Sequence, residues 1–248
     1  MDKKLKVMHK FGLIGKNISY SFSKNYFTEK FKDLKLENYE YCNFDLQNIS
    51  EFSNVITEDL KGLNVTIPYK EQVIEFLNEI DKDAAKIGAV NTIRIKNNKL
   101  KGFNTDVYGF ETSLKTLLLP WHSKALVLGT GGASKAVVYV LRKLKIDYLV
   151  VSRSPTNGEI SYEDVTDEVL INHKVIINCT PLGTFPAVEN CPNIPYQYIT
   201  DKHLLYDLIY NPLKTKFLLE GEKNGATICN GLKMLELQAD KAWEIWNQ

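Results

Sequence analysis

Short apolar runs recur along this chain, and helical stripes fall between them. Phe11-Gly-Leu-Ile14 predicts a strand. Ser23 to Phe31 predicts a helix, because Tyr26, Phe27 and Phe31 repeat at helical spacing. Tyr39-Glu-Tyr-Cys-Asn-Phe44 alternates as a strand, and Gly62-Leu-Asn-Val-Thr-Ile67 is another, stopped by Pro68. Glu71 to Leu77 reads as helical. Val90-Asn-Thr-Ile-Arg-Ile95 and Leu100-Lys-Gly-Phe103 flank Asn97-Asn98, a hairpin turn. A helix from Asp106 to Leu119 then carries the chain into its second half, and Pro120 ends it.

The second half is a β/α series. Lys124-Ala-Leu-Val-Leu128, Asp147-Tyr-Leu-Val-Val151, Lys174-Val-Ile-Ile-Asn178, Leu204-Leu-Tyr-Asp207 and Ala226-Thr-Ile-Cys229 read as strands. Helices are expected at Ala136 to Arg142, at Leu213 to Glu220, and from Leu232 to Trp246, where Leu235, Ala239, Ala242 and Trp246 share a stripe. This alternation implies a parallel, doubly wound sheet. Ligands of such sheets bind beyond the carboxyl ends of the strands. Polar clusters fall at such ends: Thr66, Asn91, Asn178 to Thr180, and Asp207 to Tyr210.

Length and charge narrow the function classes. At 248 residues the chain has room for one large domain or two small ones, and a net charge of +1 offers no electrostatic case for nucleic acid or a membrane surface. No apolar run reaches the length of a membrane span. Met1 to Lys6 is basic, but Val7-Met-His-Lys-Phe lacks the apolar stretch of a signal peptide. The four cysteines and four histidines are scattered, so neither a metal site nor a disulfide framework is expected and the cytoplasm is the default compartment.

Gly129-Thr-Gly-Gly-Ala-Ser-Lys135 sits between a strand and a helix. Such a turn gathers bare backbone N–H groups at the positive end of a helix dipole, a site for a dinucleotide pyrophosphate. Ser134 takes the place of the third glycine of G-x-G-x-x-G. The next strand ends in Ser152-Arg153-Ser154, where an NAD site would carry an acidic residue for the ribose 2′-OH. A cation and two hydroxyls suit a 2′-phosphate instead. A structural turn and a solvated Arg would leave the same letters, but both features at this spacing favour NADP.

Elsewhere single segments stay open. Lys70, after the Pro-terminated strand, reads as an acid–base lysine or as an ordinary surface one. Asp106 reads as the cap of the following helix, with Asn104 and Thr105 as rivals. Ser19-Tyr-Ser-Phe-Ser23 reads as a carboxylate-holding cluster or as plain N-capping. Tyr20/Lys24 and Tyr210/Lys214 match the Tyr-x-x-x-Lys spacing of short-chain dehydrogenases by chance: the first precedes the nucleotide unit, and Pro212 breaks the second.

Taken in order, Gly12-Leu-Ile-Gly15 with Ser19 to Ser23, Asn64-Val-Thr-Ile-Pro-Tyr-Lys70, Gly88-Ala-Val-Asn-Thr92, Asn104-Thr-Asp106, Gly129 to Ser134, Asn178-Cys-Thr-Pro-Leu-Gly183, Tyr206-Asp-Leu-Ile-Tyr210 and Gly231-Leu-Lys-Met-Leu-Glu-Leu-Gln238 resemble the shikimate dehydrogenase family from about Phe11 to Trp246. The resemblance implies NADPH-dependent reduction of 3-dehydroshikimate to shikimate, a step of aromatic amino-acid (chorismate) biosynthesis. It implies Lys70 as the catalytic lysine and Asp106 as its partner. Ser21 and Ser23 match the serines that hold the substrate carboxylate, and Thr66, Asn91, Tyr210 and Gln238 match other substrate contacts. Gly129, Thr130, Gly131, Gly132 and Ala133 match the pyrophosphate turn. Ser152 and Arg153 fall at the 2′-phosphate, and Thr180, Leu208, Gly231 and Met234 fall near the nicotinamide. The implied architecture is α/β. An N-terminal substrate domain covers 1–106 and is completed by the C-terminal helix 232–248. A Rossmann-like doubly wound NADP-binding domain covers 107–231, and the substrate is expected in the cleft between them. The expected partners are small molecules, and the expected assembly is a monomer or homodimer.

The chain departs from the family pattern in three places. Tyr20-Ser-Phe-Ser-Lys24 stands for His-Ser-x-Ser-Pro, Gly183-Thr184 stands for Gly-Met, and no second basic residue follows Arg153 within Ser154-Pro155-Thr156-Asn157. Two rival readings follow: a quinate/shikimate dehydrogenase using NAD or both cofactors, and a dinucleotide-responsive binding protein without turnover. Arg153 argues against the first, and the presence of both Lys70 and Asp106 against the second.

Overall fold

The computed structural model describes residues 7–19, 21–156 and 158–248, so the basic start, Tyr20 and Asn157 lie outside the described residues. The chain divides into two compact units, Met1–Thr105 with Ala239–Gln248, and Asp106–Gln238. No described helix is long and apolar enough to cross a membrane.

The first unit is built on a mixed sheet. Its strands are β1 (His9–Gly15), β2 (Tyr39–Asp45), β3 (Leu60–Val65), β4 (Glu79–Ile80), β5 (Thr92–Lys96) and β6 (Lys99–Phe103), in the order β2-β1-β3-β5-β6-β4. β1 runs parallel to β2 and β3, whereas β3, β5 and β6 pair antiparallel. The predicted turn joins β5 to β6: Lys96 pairs with Lys99, and Asn97 and Asn98 have φ of 52° and 57°. Two successive left-handed residues make the two-residue turn that matches strand twist, and Asn tolerates it.

Alternation along β1 sends Phe11 and Leu13 into one apolar cluster and Ile14 into the other. Helix α1 (Phe22–Asp33) brings Phe27 and Phe31 to the first cluster, where they meet Trp246. The Trp246 ring lies 4.9 Å from Phe11 and 5.1 Å from Phe27, and its indole N–H donates to the Ile93 carbonyl at 3.0 Å. The second cluster is closed by α2 (Phe52–Val55), Tyr69, Val73 and α3 (Lys82–Ile87). Asp81 caps α3, and Gly88 stops it at a φ of 70°. The predicted helix at Glu71 to Leu77 is a 3₁₀ segment, Gln72–Phe76, tightened by i→i+3 bonds such as Leu77 N to the Ile74 carbonyl at 3.2 Å.

The second unit is a parallel sheet. It contains β7 (Lys124–Leu128), β8 (Asp147–Val151), β9 (Glu159–Ile160), β10 (Val175–Asn178), β11 (Leu204–Asp207) and β12 (Thr227–Cys229), in the order β12-β11-β10-β7-β8-β9. Counted along the chain this is the 3-2-1-4-5-6 order of dinucleotide-binding sheets. The order reverses between β7 and β10. Between the strands run α4 (Asp106–Lys115), α5 (Gly132–Lys143), α6 (Asp167–Asn172) and α7 (Lys216–Lys223), and α8 (Leu232–Trp246) crosses the boundary at Ala239. Ala136, Val137, Val140 and Leu141 form the buried stripe of α5. Helix α4 ends at Lys115, short of the predicted Leu119. Helix α7 starts at Lys216 rather than Leu213, because the Thr215 hydroxyl caps it.

Candidate active site

In the first unit the predicted residues gather at the carboxyl ends of β1 and β3. Thr66 N–H donates to the Ile14 carbonyl at 2.8 Å, and Val65 N–H donates to the Asn91 carbonyl at 2.8 Å. The Lys70 carbonyl accepts from Val90 N–H at 2.7 Å, which ties the half-buried lysine to the segment that carries Asn91. Asn91 is a buried hub. Its Oδ1 accepts from Thr105 N–H at 2.7 Å and from the Thr105 and Thr92 hydroxyls at 3.2 Å each. The Asn91 contacts thereby fix the backbone one residue before Asp106.

Asp106 itself is buried and is the first residue of α4. The predicted cap position therefore belongs to Thr105, the residue just outside the helix. Ser21 does cap α1, accepting from Lys24 N–H at a long 3.4 Å, while Ser23 sits buried within the first turn. The Ser23 hydroxyl bonds the Tyr41 phenol, which donates to Asn64 Oδ1 at 2.8 Å. Burial pushes that phenol far up, so it remains a neutral donor.

In the second unit six predicted cofactor residues share one cavity. Gly129, Thr130, Gly131, Ser152, Arg153 and Thr180 line a space of about 410 Å³ beside the reversal of strand order. Gly129 has a φ of 99°, and no side chain caps α5 at Gly131. This leaves the helix N-terminus to an anion. Ser134 stands in the place of the third glycine, and its hydroxyl donates back to the Gly131 carbonyl at 2.6 Å. Gly132 and Ala133 open α5 behind this turn.

Leu208, Gly231 and Met234 are not part of that cavity. Gly231 N–H donates to the Ile209 carbonyl at 2.9 Å, and a Cβ at Gly231 would collide with the Leu208 carbonyl. Gln238 Nε2 donates to the Leu235 carbonyl at 3.0 Å and its backbone packs on Gly109. Tyr210 is half-buried, which raises its phenol.

Cys179, Pro181 and Leu182, which the sequence offers only as part of the Asn178 to Gly183 motif, also line the cavity, and so does Tyr162, which no sequence signal marks. Tyr162 arrives through the pairing of β9 with β8, where Ser152 N–H donates to the Ile160 carbonyl at 2.9 Å. Burial raises the Tyr162 phenol, and the Arg153 guanidinium pulls it back down. Asp207, at the end of β11, is fully buried, and burial raises its carboxyl to about 6 against hydrogen bonds that lower it.

Comparison with known proteins finds matches over nearly the whole chain. Residues 13–93 match the family model described as the shikimate dehydrogenase substrate binding domain. The chain is 40% identical over 254 residues to the shikimate dehydrogenase (NADP(+)) of Clostridium beijerinckii, covering 97% of this chain and 93% of that one. A crystal structure of shikimate 5-dehydrogenase from Thermus thermophilus in complex with NADP(H) and shikimate superposes with a TM-score of 0.85 at 30% identity, covering 96% of this chain and 93% of that one. The shikimate dehydrogenase of Aquifex aeolicus gives 0.87 at 33% identity, covering 97% and 92%.

Proposed function

From the premise that the chain belongs to the shikimate dehydrogenase family, we propose that it reduces 3-dehydroshikimate to shikimate with NADPH and runs the reverse oxidation with NADP+. The observation that carries the cofactor half is the cavity in which the glycine turn and Arg153 face one space. The turn and the uncapped start of α5 fit a pyrophosphate. Arg153, with Ser152 beside it, fits the 2′-phosphate as a charge-assisted, bidentate partner. Thr180 belongs to the same site, and Leu208, Gly231 and Met234 would border the nicotinamide. When bound, NADPH supplies the hydride.

The remaining work falls to this chain's own side chains. Ser21 and Ser23, near the start of α1, would hold the substrate carboxylate through their hydroxyls. Lys70 Nζ would meet the ketone oxygen, offset the negative charge that develops there and pass it a proton. Asp106 would accept a hydrogen bond from a substrate hydroxyl, with Thr66, Asn91, Tyr210 and Gln238 fixing the ring. This reading has the enzyme acting on small molecules, as a monomer or homodimer, in the cytoplasm, where scattered thiols stay reduced.

The test is turnover of shikimate with NADP+ and with NAD+, followed by absorbance of the reduced cofactor. NADPH formation that falls by roughly 10²-fold in kcat for Lys70→Ala, with a smaller change in KM, supports the assignment. No turnover by the wild type, or a near-normal kcat in a folded Lys70→Ala protein, refutes it.

A further inference from the structure

We infer that Asp207 is a positioning residue of the nucleotide cavity, acting through Asn178 to hold the wall formed by Thr180 and Leu182. The inference rests on reading that cavity as the NADP site.

Asp207 and Asn178 are register partners at the ends of β11 and β10, and both are fully buried. Asn178 Nδ2 donates to Asp207 Oδ1 at 3.0 Å. A carboxylate is an acceptor only, so it fixes which end of the Asn178 amide faces it. The same nitrogen also donates to the Leu182 carbonyl at a long 3.5 Å, and the oxygen end points toward Thr180 in the loop after β10. There Asn178 Oδ1 accepts from both Thr180 N–H at 3.0 Å and the Thr180 hydroxyl at 2.7 Å.

The Thr180 hydroxyl, its proton committed, accepts from Leu182 N–H at 3.3 Å. The Thr180 methyl lies on the glycine turn: a Cβ at Gly129 would stand 2.9 Å from Thr180 Cγ2. One buried carboxylate thus controls, through a single amide, two cavity-lining residues and the packing of the turn expected to hold the pyrophosphate.

The other contacts of Asp207 anchor the relay. Ile209 N–H donates to Oδ1 at 3.0 Å, and the Thr215 hydroxyl donates to Oδ2 at 2.6 Å. These brace the carboxylate against the start of α7. Asp207 does not itself line the cavity. Its hydrogen-bonded route to the cavity wall runs through Asn178.

The experiment titrates NADPH by fluorescence into the full-length wild type, Asp207→Leu and Asp207→Asn, and measures the KM for shikimate at saturating NADP+. Leucine has similar size but cannot orient Asn178, so NADPH affinity should fall by roughly tenfold or more. The shikimate KM should move by no more than about twofold. Asparagine keeps an Oδ1 acceptor for Asn178 and Ile209, so it should restore NADPH affinity to within about threefold. If Asp207→Leu does not fold, Asn178→Ser breaks the same relay from its other end and should show the same selective loss. NADPH affinity unchanged in the folded Leu or Ser variant, or an Asn variant as weak as the Leu variant, overturns the inference while the site reading stands. A wild type that does not bind NADPH overturns the reading beneath it.

Discussion

Replacing Asp207 by Asn should remove a specific pH dependence from the stability of the second unit. Burial raises the Asp207 carboxyl from its ordinary 3.8 to about 6, and the bonds from Thr215, Ile209 and Asn178 only partly offset the desolvation. The shift of about two units corresponds to about 3 kcal/mol at 1.36 kcal/mol per unit. The sign follows from proton counts. Between about pH 4 and about pH 6 the folded state holds a proton that the unfolded state has released. Stability from this group is therefore complete below the unfolded value and is lost as pH rises through the folded one. Asn cannot ionise, so the wild type should lose up to about 3 kcal/mol relative to Asp207→Asn across that window. Above it the difference should level off. The cost of turning the Thr215 hydroxyl toward the new amide nitrogen adds an offset that does not vary with pH. Hydrogen exchange at the Ile177 and Tyr206 amides of β10 and β11, corrected for intrinsic rates, reads the opening free energy of this sheet in both proteins. A difference that is flat from pH 4 to 6, or a wild type that gains on the variant as pH rises, would refute the argument that burial governs this carboxyl.

Two further outcomes follow from the geometry. Arg153→Ala should weaken NADP+ by about one to two decades while NAD+ binding, measured by the same fluorescence titration, stays within about twofold; equal losses would make Arg153 a support of its loop. Gly62→Ala should cost about 1–3 kcal/mol in urea unfolding, because the new Cβ falls on the Trp246 indole. The combined Gly62→Ala, Trp246→Leu protein should cost less than the sum of the two single changes, and strict additivity would show that the ring does not press on Gly62.

What was legible in the sequence depended on how local the cause was. The central strands of the second unit are buried on both faces, so Lys124 to Leu128 and Val175 to Asn178 stand out as apolar runs. The two-residue strands β4 and β9 carry no period at all. Helix α3 had both end signals, Asp81 and Gly88, but its six residues are too few for a stripe. Three rivals for the cap of α4 stood side by side, and only a contact from Asn91, 14 positions earlier, fixes Thr105 at the cap. The glycine turn and Arg153 declared themselves because their chemistry is written in adjacent letters.

The residues that brace those letters are set by strand register instead. Asn178 and Asp207 stand 29 positions apart and meet only because β10 and β11 align end to end. A slip of one residue would turn every side chain of β11 to its other face. Asp207 would leave Asn178, and the amide that holds Thr180 would lose its direction. Tyr206, which now meets the Ser113 hydroxyl of α4 at 2.6 Å, would leave that partner in the same step. Register is therefore specified twice on this strand, once by a buried phenol and once by a buried carboxylate. The bonds that fix the strand's alignment also orient the wall of the cavity proposed for the nucleotide.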